Sequence, residues 1–473
     1  MRTLFQISLR NQVNMYYDLQ KLRIASGQRL LAQFLVKLGL PPELPALKED
    51  ATKEEKEERK LYNQDRADII NAFLEKHGIA PIEIDEEEGI NVKKKGGKKR
   101  PSDFFAIIIR EYKGITDWIV AEKGRILKEK LIKELKDDTK NKVDSTKLID
   151  ELSSATSRLT NEAITTVSPH GVISDESEYY MLKSYDLLME SEKEERKPIE
   201  LAVQEHPLWQ KFLIKVRGCG ELLASVIISE FDIHDSPVKD QQTGKPIEVT
   251  ADFVCTGDFH YVQEVEVDGI KKHILMKKKT ISSFMAYAGQ DVTDVPTKDK
   301  DGNILYDEDG VMLTHREGRC KKKDHQIKVK YINRKGELQE RNSITYNAFL
   351  KTKLYLLGES FMKAIDYEVD EDGVYIRDEK GKKIKKGPNY YGSIYHNYRN
   401  RLDQMPIHDS KSNGHKKNMA MRYMIKAFIK DLFVAWCIIE GKEVPTPYEV
   451  AKLGMEPHST TCPYLLPLLQ KEA

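Results

Sequence analysis

Cysteine is scarce in this chain. Its five cysteines (219, 255, 320, 437 and 462) are scattered over 473 residues, and no two have CxxC spacing. That excludes a disulfide framework and the paired-cysteine zinc patterns. No run of 18 apolar residues occurs, which excludes a hydrophobic membrane-spanning helix. An excess of one charge is also missing: 77 Lys and Arg stand against 76 Asp and Glu. Net charge therefore argues neither for nor against nucleic acid. The opening Met1-Arg-Thr-Leu-Phe-Gln-Ile-Ser-Leu-Arg10 carries no signal-peptide apolar core. A reduced, cytoplasmic protein without a membrane partner is expected, long enough for two or three domains.

What the chain does have is charge in blocks and apolar residues at helical spacing. The central stretch is Lys211-Phe-Leu-Ile-Lys-Val-Arg-Gly-Cys-Gly-Glu-Leu-Leu-Ala-Ser-Val-Ile-Ile-Ser-Glu230. Two apolar runs flank Gly218-Cys219-Gly220, the pattern of a helix-hairpin-helix or of an ordinary αα-hairpin. Glycine permits positive φ at such a turn and a close approach to its backbone. The amides that open the second helix suit a phosphate.

Upstream, residues 12–38 read as one helix that ends at Gly39 and Pro41-Pro42. Solvated and apolar helices follow at about Glu54–Arg66 and Ala67–His77. Six basic residues in eight then surround two glycines: Lys93, Lys94, Lys95, Lys98, Lys99 and Arg100. A long helix runs from Ser102 past Lys136, another spans Asp144–Thr166, and Glu176–Val216 is helical again. Pro198 either starts a new segment or kinks a continuous one. The first helix and the 176–216 helix are expected to pair as an antiparallel coiled-coil arm (1–42 and 176–216), with residues 43–175 inserted at its tip. Residues 217–473 form the remaining domain, with β insertions at about 235–281, 296–341 and 366–387. The first insertion reads as a hairpin with an Asp268-Gly269 turn and a basic end, Lys277, Lys278 and Lys279. The second carries the cluster Arg319, Lys321, Lys322 and Lys323. The fold class is mainly α with small β-hairpin insertions.

Val216–Glu230, followed by Phe284-Met-Ala-Tyr-Ala-Gly289 and the helix opened by Tyr346-Asn347, resembles the C-terminal domain of bridge-RNA-guided insertion-sequence transposases. The long helical arm before a helix-hairpin-helix is similar to that before the Nop domain of box C/D RNA-protein particles. Together these features resemble the Tas proteins of tandem-interspaced-guide-RNA systems, in their form without a nuclease. The likeness covers only the later part of the chain and its arm. It implies a Nop-like domain, a small guide RNA and target DNA as partners, a homodimer, and a separate nuclease where cutting occurs. The alternative is a transposase or recombinase with a divergent catalytic site. Against it, Thr3–Leu9 is strand-like but carries no Asp to anchor a metal-dependent nuclease, and Gly289 is followed by no serine-rich motif. Ser412 is the nearest stand-in for a nucleophile, or it is a helix cap. No catalytic residue is assigned.

Two further groups stand out. His315, Cys320 and His325, with Cys255 and His260 elsewhere, offer zinc ligand types without a CxxC or HxxxH core, so no metal or cofactor is expected. Tyr390, Tyr391, Arg399, Arg401, His415, Lys416, Lys417 and Arg422 interleave rings and cations. They form either a base-stacking, phosphate-binding surface with Arg217, Gly218 and Gly220, or a tyrosine-rich core helix beside a solvated loop.

Overall fold

Thr3 and Gln6 cap each other. The Thr3 hydroxyl accepts from the Gln6 amide at 3.2 Å, and the Gln6 side-chain carbonyl accepts from the Thr3 amide at 3.1 Å. This capping box starts α1 (Leu4–Lys37), so the strand-like Thr3–Leu9 is helical. Gln6, Leu9, Val13 and Tyr16 are buried at three- and four-residue spacing, which decides helix over strand. The structure is a computed structural model. It describes residues 3–40, 52–76, 103–135, 145–168, 171–240, 245–255, 260–267, 270–299, 302–332, 336–370, 374–379, 381–444 and 462–469. The basic loop Lys93, Lys94, Lys95, Lys98, Lys99 and Arg100 lies outside the described residues.

The chain divides into two compact units, Tyr16–Glu194 and Met1–Met15 with Glu195–Ala473. The first holds most of α1 together with α2 (Lys53–Lys76), α3 (Asp103–Leu135), α4 (Ser145–Ser154), α5 (Thr156–Val167) and the start of α6 (Glu176–Glu205). The expected pair of arm helices is antiparallel: Arg23 bonds Glu192, Gly27 lies against the Tyr185 ring, and Lys37 meets Glu178 at 2.8 Å. The pair is not a bare arm, however. Leu30 and Phe34 of α1 share one core with Ile108, Tyr112 and Ile115 of α3, Ala163 of α5 and Leu182 of α6. Helices α3 and α5, from within the stretch expected as an insertion, pack against the arm helices, because α3 carries an apolar face that they cover.

Three helix boundaries differ from the sequence reading. Residues 53–76 are one helix, opened by a reciprocal Thr52–Glu55 cap. Its buried face runs from Asn63 and Arg66 through Ala67 to Ile70. Residues 145–167 are divided at Ala155, where Ser154 and Thr156 donate back to the Glu151 and Leu152 carbonyls and loosen the helix. Helix α6 continues through Pro198, held by the fully buried Ile199 and Val203.

The second unit opens its hairpin with α7 (Pro207–Lys211), a 3-10 turn (Leu213–Lys215) and α8 (Glu221–Glu230). The first hairpin helix is thus shorter than the apolar run suggested. A four-stranded antiparallel sheet follows. β3 (His260–Val267) pairs along β4 (Ile270–Lys277), and β1 (Ser236–Pro237) and β2 (Glu248–Val249) pair with the other edge of β4. Next come α9 (Ile281–Tyr287) and two two-stranded pairs: β5 (Val292–Pro296) with β6 (Thr314–Gly318), and β7 (Gln326–Ile332) with β8 (Leu338–Ile344). Helix α10 (Ala348–Lys363), the pair β9 (Ile365–Tyr367) and β10 (Lys385–Pro388), α11 (Tyr390–Gln404), α12 (Asn413–Ile439) and the turn α13 (Leu466–Leu469) complete it. All three expected β insertions are present. The helices enclose a core in which Phe231 stacks on Phe284 at 4.5 Å and Phe284 meets Phe433 edge-on at 4.9 Å.

One core contact is polar. The Tyr391 hydroxyl, fully buried, donates to Asp431 at 3.0 Å beside the Cys462 thiol. Burial pushes the Asp431 carboxyl up to about 6. Its folded pKa therefore exceeds that of the unfolded chain, and the stability it contributes is full below about pH 4 and lost as pH rises through about 6. That rise corresponds to about 2–3 kcal/mol. Asp431→Asn keeps an acceptor for Tyr391 and removes the buried charge, so it should flatten this part of the stability curve and stabilise the protein at neutral pH. Urea unfolding at pH 4.5 and 7.5 checks it: equal slopes for wild type and variant between the two pH values would refute the assignment.

Candidate nucleic-acid interface

Glu230, Tyr287 and Asn347 come from three separate sequence stretches, and the fold brings them together. Glu230 closes α8 and is buried. Its Oε2 accepts from the Tyr287 hydroxyl at 3.1 Å and the Asn347 amide at 2.7 Å, while Arg10 of α1 bonds Oε1 at 2.9 Å. Asn347 also caps α10 through the Leu350 amide. Gln6 bonds the Ile228 and Phe231 carbonyls at the end of α8. At the other end, Gly218 has φ +92°, and a Cβ there would lie 3.2 Å from the Ser360 backbone. Helices α8 and α10 are therefore antiparallel and pinned at both ends, which makes them the frame of the site.

This frame changes the expected role of the glycine turn. The close approach that Gly218 allows is taken by α10. Arg217 is bound internally: it donates to the Ile365 carbonyl and the Tyr375 hydroxyl, each at 3.1 Å, and pairs with Asp366 at 3.2 Å. It also faces the Tyr367 and Tyr375 rings. Gly220 is open, with nothing within 4 Å of an added Cβ, but Glu221 places a carboxylate in the first turn of α8.

The tyrosine–arginine group divides in the same way. Tyr391 is fully buried, so it cannot stack on a base, and Tyr390 packs edge-on against Tyr391 and Tyr464. Tyr398 and Tyr423 stack at 4.2 Å with Tyr423 half exposed. Arg399 and the buried Lys416 share one carboxylate, Asp403. Lys417 lies 4.0 Å from Glu359, and Arg401 and His415 are exposed. The Ser412 hydroxyl accepts from the His415 amide at 3.3 Å as the cap of α12. On the sheets, Lys277 and Lys278 are exposed, and the Lys279 amide bonds Asp235. Lys321 and Lys323 are exposed, and Lys322 pairs with Glu317 at 2.8 Å. The zinc ligand types are not gathered. His315 meets Thr297 and His325 meets Glu317, and among the described residues no group of three or more His, Cys, Asp or Glu is placed to hold a metal ion. Among the same residues no helix is long and apolar enough to cross a membrane.

Arg422 gathers a different set of cations. Its guanidinium lies over Gly318 at the end of β6, so close that an added Cβ would sit 1.6 Å from Nη1. The next residue, Arg319, is held by both oxygens of Asp291 at 2.7 and 2.9 Å. Lys351 of α10 donates to the Arg319 carbonyl and sits 4.6 Å over the Tyr346 ring. Lys426 lies one helical turn beyond Arg422 on α12. Burial, then the Arg422 charge, holds both the Lys351 and Lys426 amines below the usual lysine range. Asp291, the carboxylate that acts on both lysines, is already committed to Arg319. Arg422 and Lys426 make no hydrogen bond or ion pair among the described residues. Four half-buried cations thus face one neutralised acid.

Sequence reasoning reached Arg422 and the Arg319–Lys323 run, but not their meeting with Lys351. In sequence Lys351 is one polar position of an amphipathic helix, 32 residues from Arg319 and 71 from Arg422, and nothing local marks it. No protein-family model, curated protein or solved structure matches this chain.

Proposed function

We propose that this protein holds a small guide RNA and uses it to recognise complementary DNA, with no cleavage chemistry of its own. The observation that carries the reading is the half-buried cationic set around Arg422, which lacks matching carboxylates among the described residues and joins α10 to α12. Such a set suits a polyanion. Phosphate contacts orient a nucleic acid without reading its sequence, and in a guided system base pairing supplies the specificity. The resemblance of the three stretches that meet at Glu230 adds the guide to this reading, and with it a Nop-like domain, a homodimer and a separate nuclease where the target is cut. Ser412, occupied as a cap, adds nothing to a recombinase reading.

Co-purification tests the proposal. The protein is expressed with its native flanking DNA and washed at moderate salt, and the retained nucleic acid is sequenced. One discrete small RNA with a repeat-and-spacer layout is the expected result. Protein free of RNA, or a random sample of cellular RNA, would overturn the guide.

A further inference from the structure

We infer that Arg422, Lys426 and Lys351, over the floor formed by Gly318, make a seat for a single phosphate group, and that Gly318 positions the Arg422 guanidinium in it. The inference deepens the reading above by naming the ligand chemistry at the cluster. It rests on that reading only for the source of the phosphate.

Three features carry it. The first is charge without a counter-charge. Arg319 uses both oxygens of Asp291, which leaves three cations, Lys351 on α10 and Arg422 and Lys426 on α12, with no acid of their own among the described residues. Like charges brought together and partly desolvated are unfavourable unless an anion joins them. Lys417, Lys322 and Arg399, by contrast, each have a carboxylate at hand. The second is shape. Gly318 has an ordinary negative φ, so the backbone does not require glycine there. What a side chain would displace is the end of Arg422. Glycine thus lets the guanidinium lie against β6, where its donors, without a hydrogen bond among the described residues, are free for the bidentate geometry that phosphate accepts. The third is anchoring. Lys351 is fixed by the Arg319 carbonyl and the Tyr346 ring, and Arg319 by Asp291 and Thr345. The seat is therefore preorganised, unlike the exposed lysines 277, 278, 321 and 323. A bound phosphate would also offset the burial and the Arg422 charge that disfavour the two ammonium groups.

The phosphate can belong to a nucleic-acid backbone or be free, and the test separates the two. Binding of a fluorescein-labelled 20-nucleotide single-stranded RNA of arbitrary sequence is measured across a salt series, and binding of inorganic phosphate by calorimetry. The proteins are wild type, Arg422→Ala, Gly318→Ala and, as a control in the other unit, Lys128→Ala. Gly318→Ala keeps every cation and moves only a flexible side-chain end, so it should fold as wild type, which thermal unfolding verifies. For a backbone phosphate, Arg422→Ala and Gly318→Ala should each weaken RNA binding about tenfold, equally for two unrelated RNA sequences. The slope of log affinity against log salt should become shallower by about 0.7. For a free phosphate, both variants should lose the calorimetric signal and keep wild-type RNA binding. Unchanged binding of both ligands in both variants would overturn the seat. Because the RNA sequence is arbitrary, the absence of a discrete co-purified guide would sink the guide reading and leave this result standing.

Discussion

Replacing Glu230 by alanine should destabilise the second unit by about 4 kcal/mol, within the range for breaking a buried ionic network. The side chain is 2% exposed and accepts from three donors on three elements: Arg10, Tyr287 and Asn347. Alanine leaves the tyrosine hydroxyl and the asparagine amide without this acceptor and strands a half-exposed arginine. Asn347 also caps α10, so the loss spreads to the first turn of that helix. Glu230→Gln keeps the shape and one acceptor oxygen but loses the charge that Arg10 meets, and should cost about half as much. Unfolding in urea, followed by Trp209 and Trp436 in a Trp118→Phe background, reports on this unit. A Glu230→Ala protein within about 0.5 kcal/mol of the parent would show that the network is incidental.

Gly218→Val is expected to be nearly as damaging. At φ +92° a β-branched side chain is strained by about 1–3 kcal/mol. Its Cβ would also stand 3.1 Å from the Phe361 ring and 3.2 Å from the Ser360 backbone. Backbone cannot yield as a side-chain tip does, so crowding adds about 1–3 kcal/mol. Together these give about 4 kcal/mol. Gly220→Ala is the matched comparison. That glycine has φ −87° and open space around it, and as a helix cap it should cost about 1 kcal/mol or less. Equal effects at the two positions in the same urea experiment would disprove the view that Gly218 serves the α8–α10 contact.

Much of the fold was legible. The apolar period marked α1, α3, α6, α10 and α12, and the Asp-Gly pairs and alternating residues marked the β insertions, because both signals are local. The errors have local causes too. A capping box at Thr3 and Gln6 outweighs a strand-like pattern, and serine and threonine back-bonding divides the 145–167 region. The candidate site was less legible. Tyr391 and Lys416 look like binding residues in sequence, yet a buried Asp431 and a shared Asp403 claim them from 40 and 13 residues away.

By itself, then, the sequence determined the mainly helical class and the hairpin insertions, since periodicity and turn chemistry act over a few residues. Only the tertiary structure decided which cations are neutralised and which are not. A charge is satisfied by whatever lies within a few ångströms, and the neighbours of Arg422 arrive from β6, α10 and its own helix, none of them adjacent to it in the chain.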